Sequence, residues 1–435
     1  MNFGTMEEIK NYCETEGYDI GFSKNVEAFH KKKKVNETTL ENSIAILPME
    51  GCDAHVSGAP SELTQRRYIR FAKSGAALIW LEAMAVEETG RATPHQLFLN
   101  EQTQQSLAAL CAMIKQEGKI QNGFEPVVIA QLTHSGRYSK PNGIPAPVKA
   151  AHNPWLDEKF NINKTDEPIS DISLQALEEK FVQAAIMTKE AGFDGIDIKM
   201  CHGYLLNELL SAFTRTGEYG GSYEGRTRFV KNVLAKVRQA TRKSFIIGSR
   251  INIFDAMPYP YGFGMDKDGS LKSNLSEPIR LVTELKELTA DIIGITMGNP
   301  YYNPHYNRPF DKGGYISPEP PLKSVERLLV LAKQLKKQTA GMPIVGAGYT
   351  YLREFAINAG AYALENGGAD LIGFGRQAFA YPEFVSDILN KGSMDSKKVC
   401  IACSKCTQIM RNGGPTGCIV RDNIYRLIYK EYCGE

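Results

Sequence analysis

Residues 193–199 read Phe-Asp-Gly-Ile-Asp-Ile-Lys, a short run with Phe193, Ile196 and Ile198 as its apolar residues that ends on a polar residue. A run of this kind is typical of a β-strand that is buried on both faces of a parallel sheet. A helical pattern over 173–191 precedes it, and a second one over 224–241 follows it. A buried strand between amphipathic helices is the unit from which parallel α/β folds are built.

The same unit recurs along the chain. Eight runs are predicted to be strands, over 43–47, 76–81, 126–132, 193–199, 245–251, 291–296, 343–346 and 370–374. Eight segments are predicted to be helices, over 61–74, 102–117, 173–191, 224–241, 276–288, 324–337, 352–365 and 382–389. Eight such units in about 350 residues predict an α/β fold, a closed (β/α)8 TIM barrel rather than a doubly wound sheet.

The composition fits a globular chain. The 435 residues are 43% hydrophobic and 23% charged, which excludes collagen-like, coiled-coil and wholly disordered proteins. A formal charge of +2 gives no reason to expect a nucleic acid or a membrane surface as partner. No apolar run approaches the roughly 18 residues that span a bilayer, and residues 1–18 lack the apolar centre of a signal peptide. We therefore expect a cytoplasmic protein, a compartment in which structural disulfides are rare.

The pattern divides the chain into three parts. We expect residues 1–34 to be a lead segment, 35–393 the barrel, and 394–435 a short Cys-rich extension. Beyond residue 390 no Gly-x-Gly-x-x-Gly follows a predicted strand, so we expect no second nucleotide-binding unit there. The substrate is expected to be a small molecule, while a separate redox partner and a homo-oligomer both stay open.

A barrel of this kind collects its chemistry where the strands end. Most of the polar residues and glycines of these runs lie at the strand ends. The residues at these ends are Pro48-Met49-Glu50, Ala83, Gln131, Lys199 with His202 and Tyr204, Arg250, Gly346-Ala347-Gly348, and Gly375-Arg376. The last two groups follow the seventh and eighth strands, where backbone N–H groups and a guanidinium can bind a phosphate. The alternative is that these glycines only make tight turns. If the ligand is FMN, Gln131 and Arg250 can bind the pyrimidine edge of its ring.

Several of these stretches together resemble the old yellow enzyme family of flavin oxidoreductases. They are 193–198 (FDGIDI), 202–205 (HGYL), 218–222 (EYGGS) with Arg226 and Phe229, 47–49 (LPM), 131–137 (QLTHSGR) and 372–376 (IGFGR). The resemblance covers about residues 35–390. It implies a barrel that binds FMN, is reduced by NADH or NADPH, and passes hydride to an electron-poor alkene.

The resemblance also implies roles for single residues. Pro48, Met49, Ala83, Gln131 and Arg250 match the ring-binding set, and Gly346, Gly348, Gly375 and Arg376 match the phosphate-binding set. Tyr204 matches the tyrosine that gives a proton to the α-carbon of the substrate. That step suits a phenol, because the carbanion-like carbon needs an acid of high pKa.

Two residues depart from the family. Members usually have His at position 199 and a His or Asn at 202 that hold a substrate oxygen, and here His202 fits but Lys199 does not. Lys199 can donate a charged hydrogen bond to an enolate or a carboxylate of the substrate. It can instead pair with Glu50, which replaces a small Thr or Cys of the family and is costly to bury unless it is paired.

The extension carries a cysteine motif, Cys400-x2-Cys403-x2-Cys406-x11-Cys418. By spacing alone, four such thiolates suit structural zinc and an iron–sulfur cluster about equally. The extension resembles the region that follows the barrel in dienoyl-CoA reductases and trimethylamine dehydrogenases, and this resemblance favours [4Fe-4S]. Those relatives have three residues between the second and third Cys, whereas this chain has two.

Two other functions stay open at this point. The first is an amine or N-methyl dehydrogenase that passes electrons from its substrate through FMN to the cluster. The second lies outside flavin chemistry and is a barrel lyase in which Lys199 forms a Schiff base. Neither NADH nor NADPH is favoured as reductant by the sequence.

Overall fold

The computed structural model describes residues 3–163 and 165–434. Within these ranges the strands are β1 (Lys33–Val35), β2 (Thr38–Leu40), β3 (Ile44–Ile46), β4 (Leu78–Ala85), β5 (Val127–Thr133), β6 (Gly195–Ile198), β7 (Ile246–Asn252), β8 (Ile292–Thr296), β9 (Ile344–Gly346) and β10 (Leu371–Phe374). The α-helices in the same ranges are α1 (Met6–Thr15), α2 (Glu62–Ala72), α3 (Gln104–Asn122), α4 (Pro154–Lys159), α5 (Asp171–Glu190), α6 (Leu205–Leu210), α7 (Tyr223–Ala240), α8 (Ser276–Glu287), α9 (Pro304–Asn307), α10 (Pro321–Gln338), α11 (Ala356–Glu365), α12 (Arg376–Ala380), α13 (Phe384–Lys391), α14 (Lys405–Arg411) and α15 (Asn423–Cys433).

Strands β3 to β10 form a closed parallel barrel in chain order, with β10 pairing with β3. Every residue of these eight strands is buried, as expected of strands covered on one side by the barrel interior and on the other by helices. The predicted (β/α)8 barrel is therefore confirmed. A Cβ at Gly195 would collide with the carbonyl oxygen of Ile246 in the neighbouring strand, which explains the glycine in β6.

Local sequence signals fix the helices that flank β6. The Ser170 side chain accepts a hydrogen bond from the Ser173 backbone and begins α5, and Ser222 does the same for α7 through Gly225. These helices pack with Phe181 against Phe229 at a ring distance of 5.6 Å. The strand that precedes the candidate proton donor is thus held between two well-defined helices.

Two regions outside the barrel were not predicted to contain regular structure. The antiparallel hairpin β1–β2 and helix α1 precede the barrel, and Ile9, Cys13 and Phe29 of this segment join its hydrophobic core. Helices α14 and α15 follow the barrel, and Asp422 at the start of α15 accepts hydrogen bonds from Arg66 and Arg70 of α2. None of the described helices is long and apolar enough to cross a membrane.

Candidate active site

A large cavity opens at the C-terminal ends of the barrel strands, where the sequence places the chemistry. Most of the predicted site residues line it: Pro48, Met49, Gln131, Lys199, His202, Tyr204, Arg250, Gly348, Gly375 and Arg376. Loops from seven of the eight units are far apart in the sequence but meet here, because parallel strands end at one face of the barrel.

Two predicted residues lie beside this cavity and do not line it. Ala83 is fully buried in β4, and its carbonyl oxygen accepts a hydrogen bond from Gln96 Nε2 at 3.1 Å. A Cβ on Gly346 would point toward Ala369 and the Tyr349 hydroxyl. The ligand-binding roles of Ala83 and Gly346 therefore stay predictions.

A buried carboxylate that was not among the predicted site residues organises the predicted ring-binding residues. Asp197 of β6 accepts hydrogen bonds from Gln131 Nε2 at 2.5 Å, from Trp80 Nε1 at 2.9 Å and from the Arg250 backbone N–H at 2.7 Å. Burial raises the pKa of Asp197, and these donors oppose that effect. Asp197 thus fixes the side chain of Gln131 and the backbone that carries Arg250.

The cavity suits a phosphorylated flavin. Gly348 has φ +98°, a backbone conformation that favours glycine. Arg376 Nη2 donates to the Pro309 carbonyl, while its Nη1 and the Nε of Arg250 are buried without a hydrogen-bond partner in the described part of the chain. Buried guanidinium N–H groups without acceptors cost free energy. An anionic or carbonyl-bearing ligand in this cavity would accept hydrogen bonds from them. The residues present fit FMN.

Three side chains form what we call the mouth triad: Glu50, Lys199 and Tyr204. Glu50 accepts a hydrogen bond from Lys199 Nζ at 2.9 Å and from the Tyr204 hydroxyl at 2.8 and 3.0 Å. Lys199 Nζ also lies 3.7 Å from the centre of the Tyr204 ring. Burial raises the pKa of Tyr204 well above its usual value, and the charge of Glu50 raises it further. The predicted pairing of Lys199 with Glu50 is confirmed.

The loop that carries Glu50 is anchored by buried charges. The Gly51 backbone N–H donates to Glu82 Oε2 at 2.6 Å, and Arg67 bridges Glu82 and Asp53. All three charged side chains are buried, so the ion pairs are shielded from water and hold one geometry. Glu50 is therefore presented to the cavity by a rigid loop.

His202 lines the same cavity in its neutral form. Its Nε2 accepts a hydrogen bond from Asn307 Nδ2 at 3.1 Å, and Thr296 Oγ1 lies 3.5 Å away. Burial lowers the pKa of His202 well below its usual value, and the positive charges of Arg250, Lys199 and Arg308 lower it further. A neutral imidazole whose Nε2 accepts carries its proton on Nδ1.

The extension supplies part of the cavity wall, which sequence reasoning missed. Cys406, Thr407, Met410, Arg411 and Thr416 all line it, together with Arg308 from the loop after β8. The Thr416 N–H donates to the Gly51 carbonyl at 2.6 Å, and Arg411 Nη2 donates to the Pro300 carbonyl at 3.1 Å. No periodic pattern in the sequence signals these contacts. The extension and the barrel thus build one site.

The four cysteines of the motif line a second, smaller cavity beside the first. Cys400, Cys403, Cys406 and Cys418 surround it together with Arg376 and Phe379, and Cys406 lines both cavities. Over residues 3–163 and 165–434, no group of three or more His, Cys, Asp or Glu side chains is arranged to hold a metal ion. The shared cavity and the thiol donors suit a soft metal centre, but the ligand set stays a prediction.

Known proteins resemble the chain over most of its length. The sequence profile of the NADH:flavin oxidoreductase / NADH oxidase family matches residues 32–394. An NADH oxidase of Thermoanaerobacter brockii is 24% identical over 383 residues, which cover 85% of this chain and 52% of that protein.

Two solved structures extend the similarity into the extension. A 2-naphthoyl-CoA reductase in complex with 2-naphthoyl-CoA aligns with a TM-score of 0.74 at 20% identity and covers 94% of this chain and 58% of that chain. Histamine dehydrogenase from Rhizobium sp. 4-9 aligns with a TM-score of 0.69 at 19% identity and covers 91% of this chain and 52% of that chain. These two likenesses show a shared fold, and the chain spans a little over half the length of all three relatives.

Proposed function

The chain belongs to the NADH:flavin oxidoreductase / NADH oxidase family, and on that premise we propose that it is an FMN-dependent ene-type reductase. It uses NADH or NADPH to reduce an electron-poor alkene such as an enone or enoate. The observation that carries the proposal is the single cavity that contains Gln131, Arg250, Arg376 and the proton donor candidate Tyr204. When bound, FMN would accept hydride from the nicotinamide and deliver it from N5 to the β-carbon of the alkene.

The residues of the cavity divide the work of holding the cofactor. Gln131 and Arg250 would bind the pyrimidine edge of the ring, where the Arg250 charge stabilises the negative charge of the reduced flavin. Gly348, Gly375 and Arg376 would bind the phosphate through backbone N–H groups and the free Nη1. Pro48 and Met49 would contact the ring from the loop after β3.

The substrate side is formed by His202, Lys199 and Tyr204. The neutral His202 can donate a hydrogen bond to the carbonyl oxygen of the acceptor, which polarises the alkene. Tyr204 gives a proton to the α-carbon, and its raised pKa keeps the phenol protonated at neutral pH. Lys199 keeps a positive charge at the mouth, which favours acceptors that develop negative charge.

Cofactor binding is tested with Arg376. We expect the anaerobically purified protein to contain about one FMN per chain, and Arg376→Ala to weaken FMN binding about ten- to a hundredfold, because a charged hydrogen bond to phosphate is worth about 1.5–3 kcal/mol. Fluorescence titration of the apoprotein with FMN measures the dissociation constant. The control is Arg280→Ala on the outer face of α8, which should leave FMN binding unchanged. Equal affinity of the Arg376 variant and the wild type would remove the phosphate assignment.

The direction of electron flow is tested by anaerobic stopped-flow. The proposed reductase is bleached by NAD(P)H alone, whereas an amine dehydrogenase is bleached only by its amine. Bleaching by amines and not by nicotinamides would reverse this assignment.

The mouth triad also bears on the Schiff-base alternative. A lysine must be neutral to attack a carbonyl carbon, but Lys199 Nζ is buried and held by the Glu50 carboxylate at 2.9 Å. This ion pair supports a role for Lys199 as a cation and not as a nucleophile. A colourless protein that borohydride traps with a carbonyl substrate would restore the lyase.

We further propose that residues 35–393 form the FMN-binding unit and 394–435 a metal-binding unit in which Cys400, Cys403, Cys406 and Cys418 hold [4Fe-4S]. A cluster would add one-electron transfer next to the flavin, toward a separate redox partner. The spacing of the four thiols suits zinc and a cluster about equally, and the resemblance of the extension to that of dienoyl-CoA reductases and trimethylamine dehydrogenases favours the cluster.

Metal analysis decides this part of the proposal. We expect about four irons and four sulfides per chain, lost in Cys418→Ser and retained in Cys433→Ser, a matched change of a cysteine outside the second cavity. Stoichiometric zinc would support the alternative metal. Iron content that is equal in both variants would remove Cys418 from the ligand set.

A further inference from the structure

The mouth triad poses a problem for proton donation by Tyr204. A phenol has one O–H proton, and here that proton is donated to the Glu50 carboxylate at 2.8 and 3.0 Å. Tyr204 cannot give the same proton to a substrate while Glu50 accepts it. Proton transfer to the alkene therefore requires a Glu50 that donates to the Tyr204 oxygen and no longer accepts from it.

Burial singles out Glu50 as the link between Tyr204 and water. Tyr204 is 2% exposed and the Lys199 side chain is 2% exposed, whereas the Glu50 side chain is 19% exposed. The other hydroxyl near the Tyr204 oxygen belongs to Tyr301, 3.5 Å away, and burial raises the pKa of Tyr301 as well. Lys199 lies over the ring and does not bond to the hydroxyl. Glu50 is therefore the carboxyl group that lines the cavity and is hydrogen-bonded to the phenol.

We propose that Glu50 is the proton relay of Tyr204, an inference that rests on the proposed reductase function. Glu50 takes up a proton from the buffered solvent and donates its O–H to the Tyr204 oxygen. As hydride reaches the β-carbon, the Tyr204 O–H bond breaks and its proton bonds to the α-carbon. The Glu50 proton moves to the Tyr204 oxygen in the same event. One hydride and one proton have then been added to the alkene, and Glu50 is again a carboxylate paired with Lys199.

The molecule contains its own control. An outer triad of Glu284, Lys231 and Tyr223 has the same residue types on α7 and α8, away from the cavity. The Tyr223 hydroxyl donates to Glu284 at 2.8 Å, Lys231 Nζ lies 2.5 Å from the same carboxylate, and Lys231 lies 4.8 Å from the Tyr223 ring centre. A Glu→Gln change in the outer triad alters the same contacts without touching the site.

The experiment isolates the second half-reaction. Enzyme reduced with dithionite is mixed anaerobically with 2-cyclohexen-1-one, and reoxidation of the flavin is followed by absorbance. Glu50→Gln preserves a hydrogen-bond acceptor for Tyr204 and Lys199 but cannot carry the proton, so we expect reoxidation to slow at least tenfold. Glu284→Gln should stay within twofold of the wild type. Reoxidation of Glu50→Gln within twofold of the wild type would overturn the relay.

Chemical rescue separates a relay from a structural role. In Glu50→Ala the mouth has room for a small acid, so about 100 mM formate should restore the reoxidation rate at least fivefold. Formate should have no such effect on Glu50→Gln, where the amide fills the space. Failure of formate to accelerate Glu50→Ala would contradict the relay.

A readout that needs no cofactor completes the test. In protein labelled with 3-fluorotyrosine, the 19F resonance of Tyr204 is assigned by its loss in Tyr204→Phe. Removing the neighbouring carboxylate in Glu50→Gln should bring the titration of this resonance to lower pH, since Lys199 and the neutral Tyr301 are then the groups that face it. An unchanged titration would contradict the coupling. If the wild type reduces no alkene, the proposed function fails, whereas an unimpaired Glu50→Gln in a competent enzyme overturns the relay alone.

Discussion

The mouth triad and the outer triad contain the same three side chains in nearly the same arrangement, but their surroundings differ. In the outer triad, Arg280 adds a hydrogen bond to Glu284 at 2.9 Å and lies 3.8 Å from the Tyr223 ring. Glu284 is thus paired with two cations, Lys231 and Arg280, and the outer triad links α7 to α8. In the mouth triad, the Glu50 carboxylate is paired with one cation, Lys199, and its remaining side faces the cavity.

The residue types of a Lys–Glu–Tyr group do not by themselves make the group catalytic. The outer triad can exchange protons only with bulk water and contacts no ligand site. The mouth triad lines the cavity that we propose for the flavin and the substrate, and its tyrosine is almost fully buried. The placement of the same chemistry, at a strand end or on an outer helix, decides what it does.

The two tyrosines provide the strongest test of this difference. We expect Tyr204→Phe to slow alkene-dependent reoxidation of the reduced flavin by about 10²–10⁴-fold, the usual contribution of a general acid. Tyr223→Phe should leave that rate within twofold of the wild type. Single-turnover stopped-flow with 2-cyclohexen-1-one measures both. Equal rates for the two variants would mean that the two triads do not differ in function.

Replacing the lysine of each triad should change the free energy of unfolding by different amounts. Lys199→Ala leaves the Glu50 carboxylate in a mostly buried mouth without its cation, and we expect it to lower the free energy of unfolding by about 1–3 kcal/mol. Lys231→Ala should cost less than about 1 kcal/mol, because Glu284 keeps its ion pair with Arg280. Urea denaturation followed by circular dichroism measures both values.

The double variant Lys199→Ala/Glu50→Gln is the control for this prediction. It removes the unpaired charge, so it should recover most of the stability lost in Lys199→Ala. A double variant as unstable as the single one would show that Lys199 acts through packing and not through its charge.

The barrel itself was predictable to within a few residues at most strand ends. Strands such as β8 and β10 are almost wholly apolar runs because both faces are buried, and that pattern is visible in the sequence without any tertiary information. The pairing of Lys199 with Glu50 was predictable as well, because a carboxylate that is mostly buried needs a cation. Strand ends of a barrel converge, so most of the site followed from the fold.

Other parts of the site depend on contacts that the sequence does not encode locally. Asp197 is recognisable as an organiser only when Trp80, Gln131 and Arg250 are seen around it. Thr416 meets Gly51 across 365 positions of the chain, and no periodicity predicts such a contact. The directions of Ala83 and Gly346 depend on the local pleat and twist of their strands, which a sequence pattern does not specify.

The pKa of His202 reports how far water is excluded from the mouth and how strongly the nearby cations act there. Its folded pKa is lowered by burial and by Arg250, Lys199 and Arg308, so the unfolded chain binds a proton below about pH 6.5 that the folded chain does not. Stability should therefore fall as the pH drops below 6.5, by up to about 1.4 kcal/mol per pH unit from this residue. His202→Asn should remove that part of the slope, as measured by urea denaturation between pH 5 and 8.

The protonation of His202 can also be observed directly. Long-range ¹H–¹⁵N NMR should show a neutral imidazole at pH 6 and above, with the proton on Nδ1. A ring that becomes charged between pH 6 and 7 would show that water reaches His202 and that its pKa is not lowered.

Glu284 gives the smallest effect and the sharpest contrast with Glu50. Burial raises the pKa of Glu284, but Lys231, Tyr223 and Arg280 outweigh it and hold the pKa below its usual range. A lowered folded pKa stabilises the protein above the unfolded value of about 4.3, and this stabilisation is lost as the pH falls through the folded pKa. Glu284→Gln should thus be less stable than the wild type at pH 7 by less than about 1 kcal/mol, and the difference should shrink as the pH falls through the folded pKa of Glu284.

A series of urea denaturations from pH 7 down to pH 3 checks this expectation. If the difference persists at the lower pH, Glu284 acts through shape and not through charge, and the outer triad is an unsuitable control for the mouth triad. If the difference disappears while Glu284→Gln keeps full activity, then a Glu→Gln change in a Lys–Glu–Tyr group affects folding alone. The loss of rate expected in Glu50→Gln would then be a property of the mouth, because the same substitution in the same set of contacts has no kinetic effect elsewhere in the molecule.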